Sequence, residues 1–390
     1  MKKLAVSIFF LCLVAALAAC QAQSASTALP PTASIAETPI QFPTAEVTPT
    51  ETLLPPLNSR FGPPLHYMRM FNKSDGWGLV SNQLLLTHDA GTTWYSVPMG
   101  AGQVDDLTQA FFLDSKKFFL VVPAPDGESG ELYSTTNGGG IWKITPVPFI
   151  RGQLIFIEKT GYFLETKSTG TSTFSTTIYS SPDGGAKWNT IYPDPGQSAT
   201  IPETGIKTGL SFINPLVGWL GMGGIQKEVT IFKTEDGGQT WTPQNLPAPQ
   251  NIQELESSTQ PPVFFAGDPS NGLIPVDFSA PGGGAKNRVF YSTHDGGTTW
   301  DPGAPIVDGN TFMFLDSKTG WIWGNRGMYF TNDGAKSWTS LPVAFGRSEY
   351  VTNISFIDEK NGWITTTDDK NSVRIYRSED GGQTWIFVTP

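Results

Sequence analysis

The chain is poor in cysteine, in charge and in histidine. Its two cysteines, Cys12 and Cys20, both lie within the first twenty residues. Everything after Cys20 therefore lacks a thiol, which excludes disulfides, a cysteine-ligated zinc and a cysteine nucleophile there. Charged residues make up 15% of the chain, against roughly 25% in an average soluble domain. The net charge is −10, so neither a phosphate backbone nor an anionic lipid surface is an electrostatic partner, and nucleic-acid binding is not expected. Only three histidines are present (His66, His88 and His294). His88 and His294 recur in one slot of separate units, so no three-histidine metal site and no Ser-His-Asp triad is supported. No cofactor is implied.

What the chain has instead is turns and rings. Gly 42 and Pro 31 stand beside Trp 12 and Phe 25. This is the reverse of a disordered profile and unlike a long-helix protein. It reads as mostly β.

The N-terminus reads as a targeting segment. Lys2 and Lys3 precede an apolar run from Ala5 to Leu17, too short to span a bilayer comfortably. Leu17-Ala18-Ala19-Cys20 resembles the lipobox of bacterial lipoproteins. That resemblance implies a signal peptide over 1–19, cleavage before Cys20 and acylation of Cys20. Residues 20–60 are rich in Pro and Thr without apolar periodicity, and read as a disordered tether. The folded part is expected over 61–390. Gln21 and Ala22 carry no inner-membrane retention signal, so the expected location is the cell envelope, at the outer face of the cytoplasmic membrane or at the outer membrane.

Residues 61–390 are a repeat array. Seven turns end in tryptophan: Asp89 to Trp94, Asn137 to Trp142, Asp183 to Trp188, Asp236 to Trp241, Asp295 to Trp300, Asp333 to Trp338 and Asp380 to Trp385. Each follows a Ser or Thr two residues before the Asp or Asn. The period is about 48 residues. A second signature precedes each turn, clearest in Phe356-Ile-Asp358 leading to Gly362-Trp363. It recurs from Phe212 to Gly218-Trp219, from Phe314 to Gly320-Trp321, and from Phe71 to Gly76-Trp77. Three units lose the Trp: Phe112 to Lys117-Phe118, Phe156 to Gly161-Tyr162, and Phe265 to Gly272-Leu273. Each unit therefore reads as four short strands, A to D, with Phe-x-Asp closing A, Gly-Trp opening B, and the Asp turn joining C to D. Four strands at this period make one propeller blade.

These turns resemble the Asp-box, or BNR, repeat, [Ser/Thr]-x-Asp-x-Gly-x-[Ser/Thr]-Trp, with departures at Asn137, Ile141, Lys187 and Ala335. The added Phe-x-Asp…Gly-Trp half resembles the photosystem II assembly and stability factor family. The resemblance implies an all-β fold, a seven-bladed propeller of four-stranded antiparallel blades of the WD40, YVTN and BNR kind. It also implies an assembly-type, protein-binding role.

The regular recurrence of the box residues marks them as structural, since an enzyme needs one site and not seven. Eleven of the 12 tryptophans occupy repeat slots, and only Trp323 does not. The alternative function is a sialidase-like or other glycoside hydrolase on the same repeat. The sialidase Arg-Ile-Pro motif is absent, there are only eight arginines, and no spacing selects a pair of carboxylates. The expected function is a non-enzymatic, lipid-anchored monomer that binds a protein or a glycan.

Alternating strands put the A–B and C–D loops on one face and the B–C and D–A loops on the other, where loop length varies. Loops over 123–130, 167–177, 193–208, 243–262, 275–286 and 367–372 are expected there. Glu203, Lys207, Glu254, Glu256, Lys286 and Arg288 are the candidate binding residues.

Replacing Cys20 with Ser is expected to release the protein from membranes or to block its processing. Fractionation and gel mobility read this directly. A Cys20→Ser protein that stays membrane-bound with unchanged mobility overturns the anchor.

Overall fold

The structure is a computed structural model. It describes residues 65–388 apart from 66, 81–82, 101–103, 105–107, 195–197, 225–227, 251, 253–255, 282–283, 325–326, 344–348 and 371. The chain divides into Met1–Thr50 and Glu51–Pro390, and every described residue belongs to the second unit. The signal segment, the tether, Cys20 and Glu254 lie outside the described residues.

Seven antiparallel sheets follow one another along the chain, as the repeat predicts. Blade 1 comprises Tyr67–Met70, Gly76–Val80, Gln83–Thr87 and Tyr95–Ser96 as strands A to D. Blade 2 comprises Gln109–Phe112, Phe118–Pro123, Gly130–Thr135 and Lys143–Val147. Blade 3 has Gln153–Ile157, Thr160–Ser168, Phe174–Ser181 and Asn189–Tyr192; blade 4 has Ile206–Phe212, Gly218–Gly223, Thr230–Thr234 and Thr242–Asn245. Blade 6 is Phe312–Phe314, Gly320–Gly324, Gly327–Thr331 and Thr339–Leu341, and blade 7 is Tyr350–Phe356, Gly362–Thr367, Val373–Ser378 and Ile386–Phe387. The A strands of blades 7 and 1, 2 and 3, 3 and 4, and 6 and 7 touch, and that of blade 5 touches the B strand of blade 4, which places the A strands innermost.

Blade 5 keeps the four positions but breaks its two edge strands, A and D. Its A position is split into Glu256–Thr259 and Val263–Phe265, and its D position into Asp301–Pro302 and Ile306–Val307. Pro261 and Pro262 interrupt the first and Pro305 the second, because proline has no N–H for the ladder. Its central strands, Asp268–Ser279 and Asn287–Thr293, remain whole.

The core is a set of layers between blades. In blades 3 to 7 a phenylalanine of the A strand lays its ring over a glycine at or near the start of its own B strand. At Gly218, Gly320 and Gly362 an added Cβ would sit 2.5, 2.4 and 2.3 Å from the rings of Phe212, Phe314 and Phe356. Glycine is therefore required by close approach, not by its dihedrals. In blades 3, 4, 5 and 7 the ring's other side meets the aromatic side chain one residue further along the preceding blade's B strand, whereas Phe314 of blade 6 packs in the cluster of Leu273 and Phe290. Trp321 stacks on Phe356 at 3.7 Å and 4°, Tyr162 on Phe212 at 3.9 Å and 5°, and Phe119 on Phe156 at 3.9 Å and 18°. Trp219 stacks on Phe264 at 5.1 Å. Such pairs add about 0.5–1.5 kcal/mol to what their burial contributes.

Pairing registers shift three expected slots by one residue. Met70 pairs with Gly76, Phe112 with Phe118, and the ring of Phe264 lies against Gly272. The slots belong to Met70, Phe119 and Phe264, not to Phe71, Phe118 and Phe265. Phe118 occupies the glycine position in blade 2, and its ring intrudes. Trp77 and Phe112 are consequently 6.3 Å apart, and Trp77 packs on Phe118 at 4.3 Å instead.

The box turns share one network in all seven blades. The Ser or Thr hydroxyl donates to the Asp or Asn Oδ1 at 2.8–3.0 Å, and accepts from the amide four residues on. The same Oδ1 accepts the amide of the residue just before the Trp. The departures Asn137, Ile141, Lys187 and Ala335 all make these bonds, because the turn uses only an acceptor oxygen and main-chain amides. The residue after the Asp or Asn then donates its N–H at 2.8–3.0 Å to a carbonyl of the A–B loop in six blades, and to Ser270 at the start of the B strand in blade 5. This puts the two signatures on one face and ties them together. Among the box tryptophans Trp241 and Trp300 are buried, and the other five are half-buried. The Gly-Trp tryptophans are the deeper set, with Trp219, Trp321 and Trp363 at 0% exposure.

The ring closes by the same packing, and among the described residues no strand crosses from one end to the other. Met68 and Met70 of blade 1 pack on Trp363 of blade 7. The Trp363 indole donates to Ala90 O at 2.9 Å, and Met70 N donates to Ser355 Oγ at 2.9 Å.

Two outcomes follow in urea unfolding. Trp241→Ala should lose about 3–5 kcal/mol, as large-to-small core changes do, and Gly320→Ala about 1–3 kcal/mol from overpacking against Phe314. A Gly320→Ala protein as stable as the parent contradicts the close-approach account.

Acid is the second lever. Hydrogen bonds from the Thr299 side chain and amide hold the Asp295 carboxyl at about 2, below its ordinary 3.8. The Lys187 amide lowers Asp183, and the Thr240, Ser337 and Thr384 hydroxyls lower Asp236, Asp333 and Asp380 although burial acts the other way. A carboxyl lowered by folding stabilises fully above its unfolded value and loses that contribution as pH falls through its folded value. Stability should therefore be flat above about pH 5 and fall between about pH 4 and pH 2. Asp295→Asn, which copies Asn137, should flatten that fall in urea titrations run across this range. An acid limb unchanged by the substitution removes Asp295 from the account.

Candidate functional site

The face opposite the box turns carries the B–C and D–A loops. Several of its expected loops are shorter than the sequence suggests, because strands run into them. Lys207 lies in the blade 4 A strand, Glu256 in a blade 5 A segment and Arg288 in the blade 5 C strand.

Lys207 is buried and folded back on its own loop. Its Nζ donates to the carbonyls of Pro202, Glu203, Thr204 and Gly205 at 2.5–3.4 Å. Burial pushes its pKa down. The ammonium thus shapes the segment over 202–205 and is not presented to a ligand. Arg288 is equally committed. Its Nε and Nη2 donate to Asp277 at 2.7 and 2.8 Å, its Nη1 to Asn310 O at 2.5 Å, and its guanidinium sits 5.2 Å from the Phe312 ring. It ties blade 5 to blade 6. Glu203 and Lys286 are exposed and Glu256 is half-buried, so these three remain at the surface.

Beside Glu203 lies an open groove of about 290 Å³. Thr171, Ser172 and Phe174 of the blade 3 B–C turn face Thr204, Gly205 and Ile206 across it. Its lining holds no ionisable side chain, so it offers contact and hydrogen bonding but no acid or base.

The densest ionic cluster of the face belongs to blade 7. Arg374 bridges Glu349 at 3.1 Å and Asp368 at 3.3 Å. Thr366 Oγ1 and Tyr376 Oη donate to the other Glu349 oxygen at 2.7 and 3.1 Å. Burial, then the Glu349 carboxylate, push the Tyr376 phenol up to about 12. A tyrosine nucleophile needs the opposite shift. Burial likewise raises Tyr162 to about 12, and Tyr133 to about 12 with help from Glu131. Arg377 pairs with Glu379 at 2.6 Å and covers the Trp363 ring at 5.6 Å. Neither Arg374 nor Arg377 stands as a free cation.

On the box face, His88 Nδ1 lies 2.7 Å from Asp75 and His294 Nδ1 2.6 Å from Asn271. They hold equivalent slots in blades 1 and 5, far apart in the ring. Among the described residues no group of three or more His, Cys, Asp or Glu could hold a metal ion.

No family model matches the chain. Over 152 residues it is 25% identical to the photosystem II assembly lipoprotein Ycf48 of Synechococcus sp. (strain CC9902), covering 37% of this chain and 42% of that protein. Over 316 residues it is 23% identical to the chloroplastic photosystem II stability/assembly factor HCF136 of Arabidopsis thaliana, covering 76% and 71%. The chain thus spans less than half the length of the first of these relatives. Among solved structures, YCF48 bound to a D1 peptide superposes with a TM-score of 0.52 at 17% identity, over 83% of this chain and 96% of that one. A GH74 enzyme of Niastella koreensis gives 0.51 at 12% identity, over 84% and 66%. A PL25 ulvan lyase gives 0.50 at 11%, over 86% and 94%. These likenesses show the propeller fold, and in sequence the chain is similar to photosystem II assembly factors.

Proposed function

We propose that this chain is a non-catalytic, protein-binding propeller of the assembly-factor kind, held at the cell envelope by acyl groups on Cys20. The observation that carries this reading is where the reactive side chains are. The box carboxylates, Arg288, Arg374, Arg377 and Lys207 are bonded into the framework, and the buried tyrosines are raised out of the reactive range. What the molecule offers outward is a face of varied loops on a rigid ring, which suits recognition better than catalysis. The curated relatives are assembly factors by name, and one solved relative is bound to a peptide. Both agree with this reading.

The test places a photo-crosslinking residue at Glu203 or Lys286, and in separate variants at Gln239 or Gln383 on the box face, in the host membrane. Adducts with a membrane-protein subunit are expected from the first pair only. Turnover of fluorogenic glycosides or sialosides by the purified chain, abolished by an acid-to-amide substitution, would replace this reading with an enzymatic one.

A further inference from the structure

Two blades carry a B–C hairpin much longer than the rest, and they treat its edges differently. In blades 1, 2, 4, 6 and 7 the B strand is five or six residues long. In blade 5 it has 12 residues and in blade 3 it has 9. The long hairpin of blade 5 is covered on both sides. Glu256–Thr259 pairs with its inner edge, from Ser279 to Val276, and Ile306–Val307 pairs with its outer edge at Arg288 and Asn287.

The blade 3 hairpin is covered on one side only. Its two strands pair from Gly161 and Ser181 out to Ser168 and Phe174. On the outer edge, Phe174 N donates to Glu203 O at 2.8 Å and Thr173 bridges Thr204. On the inner edge, strand A ends at Gln153, opposite Leu164. Beyond it, Glu165–Ser168 pairs with no other strand among the described residues. Among the described residues, none bonds to the main-chain N–H and C=O groups that point inward from this stretch. Thr166, Lys167 and Ser168 are exposed. Because A strands are innermost, this edge faces the propeller axis on the variable-loop face.

An uncovered edge is usually blunted by proline, a bulge or several charges. This one has no proline, a continuous register, and a single lysine whose Nζ lies 3.0 Å from Glu165. We infer that Glu165–Ser168 is a docking edge that takes an extended peptide segment of a partner protein as an added strand. The bond-forming groups are main-chain, so the partner is recognised by extended shape with polar side chains beside Thr166, Lys167 and Ser168. Blade 5 shows the size of the missing element, since a strand of four residues, Glu256–Thr259, fills the same place there. A second copy of this chain is disfavoured as occupant, because a four-residue edge falls far short of the area of about 1,200 Å² or more that a stable dimer buries. The inference rests on the protein-binding reading and gives it a location.

The test uses the full mature chain and a displayed library of random 12-residue peptides. Selected peptides are synthesised and measured by fluorescence anisotropy and by amide hydrogen exchange. In the free protein the inward amides of 165–168 should exchange fast, and a bound peptide should slow them at least tenfold. Thr166→Pro and Lys167→Pro are measured separately. In a strand only one of two successive N–H groups faces outward, so one variant should lose the outward donor and weaken binding tenfold or more. Thr166→Ala and Lys167→Ala should bind within about threefold of the parent, which separates main-chain from side-chain recognition. Slow exchange of these amides in the free chain would mean that the protein covers its own edge, and overturns the inference. Peptides that bind but protect a different segment also overturn it, while leaving the protein-binding reading intact. So does a library that yields no binder to a chain whose crosslinked partner has been found. A change of sedimentation with concentration that Thr166→Pro or Lys167→Pro abolishes would assign the edge to a second copy instead.

Discussion

One contact recurs around this ring and sets its geometry: a phenyl ring held between a glycine of its own blade and an aromatic side chain of the blade before. The glycine lets the ring lie flat on the sheet, and the neighbour's indole or phenol covers the other side. Spacing between blades is thereby fixed by the thickness of two stacked rings. Three blades depart from it, and each fills the same place differently. Phe118 in the glycine position packs on Trp77 in a tilted contact while Trp77 and Phe112 stand 6.3 Å apart, Leu273 takes the place of the aromatic against Phe314, and Met70 at the closing seam substitutes a flexible thioether for the ring.

The box turns act one level out. They close each C–D hairpin with a side-chain acceptor and dock it, through one main-chain bond per blade, on the loop that carries the Phe-x-Asp signature, or on the start of the B strand in blade 5. This makes one face of the ring nearly uniform. The opposite face is released from that requirement and varies: a broken A strand in blade 5, a lysine-wrapped segment before blade 4, an arginine-bridged acid pair in blade 7, a bare hairpin edge in blade 3. A scaffold divided in this way can change its partner without changing its core.

The ring and its blade count are legible in the sequence because each depends on residues repeated seven times at a constant offset. The slots at Met70, Phe119 and Phe264 are less legible, since a search for phenylalanine or for Gly-Trp lands one residue away, on Phe71, Phe118 and Phe265. Pairing register, not residue type, decides them. The charges on the variable face read worst of all. Lys207 and Arg288 look like loop cations, yet one is caged by four carbonyls of its own loop and the other is held by Asp277 directly across the hairpin. That second pairing was open to inference, because Asp277 and Arg288 flank a turn symmetrically. The carbonyl cage was not, since it depends on how the chain bends between 202 and 205. The edge at Glu165–Ser168 has no side-chain signature, because what defines it is the early end of a neighbouring strand.

The two ends of the described chain meet at one residue. Leu65 packs in the cluster that contains Ile375, and Val388 donates its amide to the Ile375 carbonyl at 2.9 Å. Among the described residues every blade is built from contiguous strands, and each seam contact named above involves a side chain rather than strand pairing, so the ring has no obligatory starting point. Joining the ends and opening the chain in a loop between two other blades would leave each stacked layer, each box and each blade whole. The order of the blades around the axis is fixed by packing, while the place where the polypeptide begins is free to move.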